Sequence, residues 1–259
     1  MRAYVASLTA GESAMTFPRL SILGLIAAIG GLPALQATAQ TVTSYDDCIA
    51  TAQSAPGSGL SVADAWYANG GGDAARHCRA MALAALGSFA EAARGVEELA
   101  RMTNDIAGQA DLYAQAGDLQ MAASNPVDAR RLFDQALALE PENFEALDGR
   151  SRAAAAQRDF AGAITDLNRL LWLVPDDAEV LSLRAAARRQ TGDRAGALAD
   201  AEAAVAADPS SAVAYFERGA IRAITGDREG ARRDWTQAEQ LDPGGETGRL
   251  AMTNRQRLP

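Results

Sequence analysis

The sequence contains no lysine: all 24 basic residues are arginine, set against 33 aspartates and glutamates, for a net charge of −9. Without an ε-amine the chain cannot form a lysine Schiff base or hold a nucleotide through a P-loop lysine. A chain this acidic also lacks the cationic surface that displaces counterions from phosphates, so no nucleic-acid partner is expected. One histidine, His77, and two cysteines, Cys48 and Cys78, are too few and wrongly spaced for a usual metal site. Aromatic residues make up only 5% of the chain, and no segment alternates with period two over any length, so strands are not expected. What remains abundant is Ala, Leu, Arg, Glu and Asp. These residues favour helix because they lose little side-chain entropy there. At 48% hydrophobic and 22% charged the composition is that of a folded chain, not a disordered one.

The first 39 residues read as a secretory signal. Arg19 precedes an apolar run from Leu20 to Ile29, then the breaker Gly30-Gly31-Leu32-Pro33, then the small-residue site Ala37-Thr38-Ala39 before Gln40. The run is too short to span a bilayer. Met15 is an alternative start that would give the leader a more usual length. After its removal the chain is expected to have no membrane span and to be periplasmic or secreted. In such a compartment Cys48 and Cys78 are expected to pair as a disulfide, two buried free thiols being the alternative. No catalytic constellation stands out. His77 and Cys78 are adjacent, so on a helix they point about 100° apart. Asp46-Asp47 reads as a helix N-terminal charge pair. No cofactor is implied, and Trp66, Trp172 and Trp235 are read as core, with Trp66-Tyr67 partly exposed.

The strongest signal is a ladder. Pro141, Pro175, Pro209 and Pro243 fall 34 residues apart, preceded by Glu140, Val174, Asp208 and Asp242. Ala129, Ala163, Ala197 and Ala231 repeat the interval, as do the turns Ser124-Asn125, Arg158-Asp159, Gly192-Asp193 and Gly226-Asp227. Proline cannot continue a helix and marks passage from one helix pair to the next. The turns offer a residue tolerant of positive φ followed by a capping acceptor. The alanines mark where two helices come closest. Each unit therefore reads as helix, tight turn, helix and short link.

This period and pattern resemble the tetratricopeptide repeat. The unit from Ala212 carries Tyr215, Gly219, Ala231, Trp235, Ala238 and Pro243 at the family's large, small and proline places. The unit from Ala110 carries Tyr113, Gly117, Ala129, Phe133, Ala136 and Pro141. Between them, Ser151 and Ala185 fill the small place and Leu167 and Ala201 the second aromatic place, so those two interfaces should pack less bulk. The resemblance implies an all-α, right-handed α-solenoid of helix-turn-helix repeats. Four repeats are expected over 110–245, divergent helix pairs over 40–109, and a C-terminal capping helix and tail over 246–259. Residues 73–106 read as one divergent pair. Residues 44–69 read as a shorter one, with Pro56-Gly57-Ser58-Gly59 as its turn. In a solenoid the first helices of successive pairs are neighbours, which would bring Cys48 to Cys78.

Three units repeat an Arg and an Asp 16 residues apart: Arg150 and Asp166, Arg184 and Asp200, Arg218 and Asp234. Ala116 and Leu132 hold those places in the unit from Ala110, which loses both partners together, so structural ion pairs between the helices of a pair are expected. The resemblance implies partner binding on the inner faces of the first helices, here Asp118, Met121, Asp148, Arg152, Arg189 and Phe216. Arg152 and Arg189 are read as solvated, with a grip on an acidic peptide as the alternative. The Lys and Asn of the clamp that grips chaperone C-termini are missing from the matching places. The expected role is a non-catalytic scaffold or adaptor for a protein or peptide in the cell envelope. The alternatives are self-association through the C-terminal end of the array, or a non-protein envelope ligand such as a peptidoglycan fragment.

Overall fold

The computed structural model describes residues 44–258, and the signal reading lies outside them. Among the described residues there are thirteen α-helices and no strand. They divide into two units between Ser88 and Phe89.

The first unit holds α1 (Tyr45–Ser54), α2 (Pro56–Ala68) and α3 (Gly72–Ala85). Ser44 caps α1 by accepting from the Asp47 amide, and Asp46 and Asp47 sit in the first turn, where carboxylates favour the helix dipole. The expected turn at Pro56–Gly59 is instead the first turn of α2. Proline at the first helical position gives up only an amide that would lack a partner there, and presets φ for the helix. Gly59 lets α2 cross tightly over α1, since a Cβ there would run into the backbone of Ala52. The core is made of small side chains (Cys48, Ala52, Ala63, Cys78 and Ala82) with Leu60, Val62 and Trp66 half-buried against it. Cys48 on α1 and Cys78 on α3 are joined by a disulfide with their Cα atoms 6.1 Å apart.

The second unit begins with α4 (Phe89–Met102) and α5 (Ile106–Ala122). The sequence reading joined residues 73–106 as one pair, but α3 and α4 fall in different units. The apolar face of α4 (Ala92, Ala93, Val96, Leu99 and Ala100) is buried, and α4 packs on α5. The three extra residues between Ala92 and Ala129 lengthen α5 to 17 residues, one turn more than the helices that follow, with Asp105 capping the Gly108 amide.

Four helix pairs then follow at the 34-residue interval: α5 with α6 (Pro126–Leu139), α7 (Phe144–Ala156) with α8 (Phe160–Leu173), α9 (Ala178–Thr191) with α10 (Arg194–Ala207), and α11 (Ala212–Thr225) with α12 (Arg228–Leu241). Helix α13 (Glu246–Arg257) packs on α12. From α5 to α12 each helix packs on the one before and the one after it. The laddered alanines 129, 163, 197 and 231 are buried where the helices of each pair meet.

The four turns all place a residue at positive φ: Ser124 at 58°, Arg158 at 63°, Gly192 at 86° and Gly226 at 96°. In the last three pairs the following Asp159, Asp193 and Asp227 cap the amides of Gly162, Gly196 and Gly230. A Cβ on any of these glycines would meet the capping carboxylate, so cap and glycine occur together. The first pair lacks both. Asp128 takes the glycine's place, and Asn125, instead of capping the backbone, donates to its carboxylate at 2.6 Å.

The aromatic places are filled unevenly. Phe133 is fully buried, wedged where a Cβ on Gly117 or on Gly149 would strike its ring. Trp235 lies against Gly219 in the same way, its indole N–H donating to the Phe216 carbonyl at 3.2 Å. Trp172 corrects the sequence reading: it is 73% exposed, not core. Its place on the ladder is held elsewhere by Ala138, Ala206 and Gln240, which marks it as an outward position.

Candidate interaction surface

The spaced charges meet between the helices of their pairs. Arg150 binds Asp166 through two nitrogens at 2.8 and 2.6 Å, Arg184 binds Asp200 at 2.9 and 2.7 Å, and Arg218 binds Asp234 at 3.0 and 2.7 Å. These aspartates are nearly buried. The bond to Asp166 holds the Arg150 guanidinium well above its ordinary pKa, and Asp234 raises Arg218 likewise. The arrangement is richer than simple pairs. Arg188 donates to Asp200 and Arg222 to Asp234, at 2.8 and 2.9 Å, so each of these carboxylates is clasped by two guanidiniums. In the pair α7–α8 the ratio inverts: Ala154 stands in the second arginine's place, and Arg150 instead bridges Asp166 to Asp134 at 2.7 Å. A further ionic contact, missed in the sequence, joins Arg131 on α6 to the buried Glu97 on α4 at 2.9 and 3.2 Å. The 34-residue interval between these two was its only trace.

On the first helices, Arg152 lies 2.8 Å from Asp148 and 3.5 Å from Asp118. Arg189 reaches Glu217 at 3.2 Å. Neither arginine is merely solvated, which corrects the sequence reading: a carboxylate one turn away or on the next first helix is within reach of each. Burial pushes the carboxyls of Asp118 and Asp148 above their ordinary range. Arg152 opposes this at both, while repulsion from Asp148 adds to the rise at Asp118 and repulsion from Asp177 and Glu145 adds to it at Asp148. Glu217, invisible in the sequence as a buried acid, is raised by burial against the pull of Arg189. Met121 is half-buried, and Phe216 packs beside the cluster around Trp235.

The first helices are not evenly spaced. α5 lies against α7, α9 against α11, and α11 against α13, but α7 and α9 make no comparable approach. Between these two lies a gap of about 150 Å³, floored by Phe160, Leu167, Leu183 and Ala186, with Arg152 and Gln190 at its rim. A second hollow, of about 310 Å³, lies farther along the first helices and is walled by Ile224 and Trp235, with Arg189, Asn254 and Arg257 around it. The expected candidates therefore fall at two places. Asp118 and Asp148 gather on Arg152, which lines the gap, and Arg189 borders the second hollow.

Elsewhere, His77 is buried with its Nδ1 2.7 Å from the Tyr45 hydroxyl, and its neighbour Cys78 is committed to the disulfide, so this corner offers no nucleophile. Among the described residues no group of three or more His, Cys, Asp or Glu could hold a metal ion. No described helix is long and apolar enough to cross a membrane.

Helix pairs at a fixed interval, capped turns and an inter-helix wedge define an α-solenoid of helix-turn-helix repeats. Residues 120–187 match the tetratricopeptide repeat family. Similar solved structures include the C-terminal part of a tetratricopeptide repeat-containing protein from Cytophaga hutchinsonii, with TM-score 0.64 at 12% identity over 82% of this chain and 84% of that one. MamA from Desulfovibrio magneticus RS-1 matches with TM-score 0.56 at 22% identity over 62% and 90%. YrrB, described as having an unusual peptide-binding site, matches with TM-score 0.55 at 20% identity over 73% and 96%. At these identities the likeness establishes the fold. No curated protein matches the sequence.

Proposed function

We propose that the protein is a non-catalytic scaffold that holds a peptide or protein segment along its first helices, with an apolar side chain of the partner seated in the gap between α7 and α9. The observation that carries this reading is the gap itself: an apolar floor left open between two helices, with charged and amide groups at its rim. Such a mix of apolar depth and few polar groups suits a side chain with its backbone held at the edge. The description of YrrB as peptide-binding lends support at the level of fold. Asp118 and Asp148 flank one end, while Arg189 and Arg257 surround the hollow farther on. The favoured segment carries its basic residue toward the former and its acidic residue toward the latter. We further propose that the chain works outside the cytoplasm, in the periplasm or secreted. The leader pattern of residues 1–39 and the disulfide support this.

A displayed peptide library panned against the protein tests the reading. Enriched peptides should share an apolar residue with charges of opposite sign on its two sides, and should lose about tenfold or more in affinity for Leu183→Arg. Peptides that bind Leu183→Arg as well as wild type would remove the gap from the mechanism.

A further inference from the structure

The most anomalous side chain on the second unit is Trp172, near the C-terminal end of α8. It is 73% exposed, and among the described residues its indole N–H has no partner. A large aromatic side chain left in water forgoes burial free energy, and one such residue beside a hollow is a common mark of a docking surface. Trp172 borders a hollow of about 280 Å³, completed by Glu142 in the link before α7 and by Asn168, Arg169 and Leu173 on α8. No residue of this hollow lines the gap of the proposed peptide site.

The repeat ladder shows how local the feature is. Trp172 stands where the other pairs have Ala138, Ala206 and Gln240, and the nearby Val174 stands where they have Glu140, Asp208 and Asp242. The chain thus gains an indole and drops an acid at one junction and at no other of the four. Val174 is 38% exposed, so this change is displayed at the surface, not absorbed in the core.

The charges point to the occupant. Glu142 makes no hydrogen bond or ion pair among the described residues. Arg169 uses one Nη to donate to the Pro141 carbonyl at 2.7 Å, and its remaining donors are available. One free acid, one base with donors to spare, a protruding ring and an adjacent hollow make a patch that is its own complement. That is the requirement of a twofold contact between identical chains. The charge of −9 drives copies apart in general, and Val174 removes one acid at the place where two copies would meet.

We propose that this patch is a self-association surface, in which two copies dock about a twofold axis. The Trp172 ring of each fills the hollow beside the other's, and Glu142 of each meets Arg169 of the other. This contact is separate from the peptide gap and from the C-terminal end of the array, so it stands whether or not the scaffold reading does.

Sedimentation velocity of the described chain across the micromolar range tests it. Wild type should pass from monomer to dimer as concentration rises. Trp172→Ala should raise the dissociation constant by about tenfold or more, with an unchanged circular dichroism spectrum and melting point. Glu142→Arg and Arg169→Glu should each weaken the dimer, and the two together in one chain should restore it, because each reversed charge again faces its opposite. A wild-type monomer at every concentration would overturn the proposal. So would a dimer indifferent to Trp172→Ala, or a charge-swapped double variant no better than the singles.

Discussion

Two junctions of the array share a ladder and differ in what fills it. Where α6 lies between α5 and α7, Phe133 is wedged against Gly117 and Gly149, and the two first helices come together. One repeat on, Leu167 replaces the aromatic, Ser151 and Leu183 replace the glycines, and α7 and α9 stand apart around an open gap. Two absent side chains let the helices close over one large ring. One smaller wedge facing a leucine leaves both wedge and leucine at the edge of a hole. The difference teaches that opening a repeat array to a ligand takes no special loop, only a change of bulk at three ladder positions.

The sharpest way to break this comparison is to remove the wedge from each junction. Phe133→Ala should cost about 3–5 kcal/mol, because a fully enclosed ring leaves a cavity that two glycine-lined helices cannot refill. Leu167→Ala should cost about 2 kcal/mol, its neighbours being already open on one side. Urea denaturation followed by circular dichroism measures both, and equal losses would mean the junctions are alike after all. Next in size is the charge clasp. Asp200→Ala strands two guanidiniums and should cost about 3 kcal/mol. Converting the site to the uncharged form of the first pair, with Arg184→Ala, Arg188→Gln and Asp200→Leu together (after Ala116, Gln120 and Leu132), should cost less than that single change. The comparison is then between ionic and uncharged versions of one place, since Ala116 and Leu132 already hold it in the first pair.

A smaller effect comes from closing the gap by imitation. Leu167→Phe with Ser151→Gly and Leu183→Gly copies the first junction and should keep stability within about 2 kcal/mol of wild type, the mid-helix glycines offsetting the better-packed ring. Peptide capture should be lost. Retained capture would show that the gap is not where the partner sits. The smallest concerns Asp118 and Asp148, which meet Arg152 beside the gap. Their folded-state pKa values are raised, so their contribution is fully present below the ordinary carboxylate pKa and lost as pH rises through the raised values. Asp118→Asn with Asp148→Asn should therefore raise the neutral-pH melting point slightly, by less than about 1 kcal/mol in stability for such solvent-accessible groups, and should change nothing near pH 3. A variant less stable than wild type at neutral pH would mean that Arg152 outweighs the burial cost.

Much of the second unit was legible because it repeats. Proline, alanine and turn ladders report local backbone requirements, and three copies of one Arg–Asp spacing exposed a contact between helices. The second arginines of the clasps, Arg188 and Arg222, carry the same 34-residue interval and could have been found by it. The exposure of Trp172 was likewise written in the small or polar residues at its sister positions. Other features left no such trace. The break at Ser88 was hidden because Gly87-Ser88 reads like the turns inside the later pairs, and Gly87 has the same positive φ. The burial of Glu217 depends on the approach of α9 to α11, which its own residue type does not announce. The gap needed the spacing of whole helices as well as the identity of Leu183.

The rule that the helices of the second unit pack chiefly on their sequence neighbours also bears on how that unit comes apart. In such a chain cohesion is passed along link by link, as in a row of magnets, and the row parts first where the coupling is thinnest. The weak coupling between α7 and α9 makes the middle of the second unit that place. Under denaturant or load, the helices before it and after it can let go as two blocks, and a partner lying across the gap would rivet them into one.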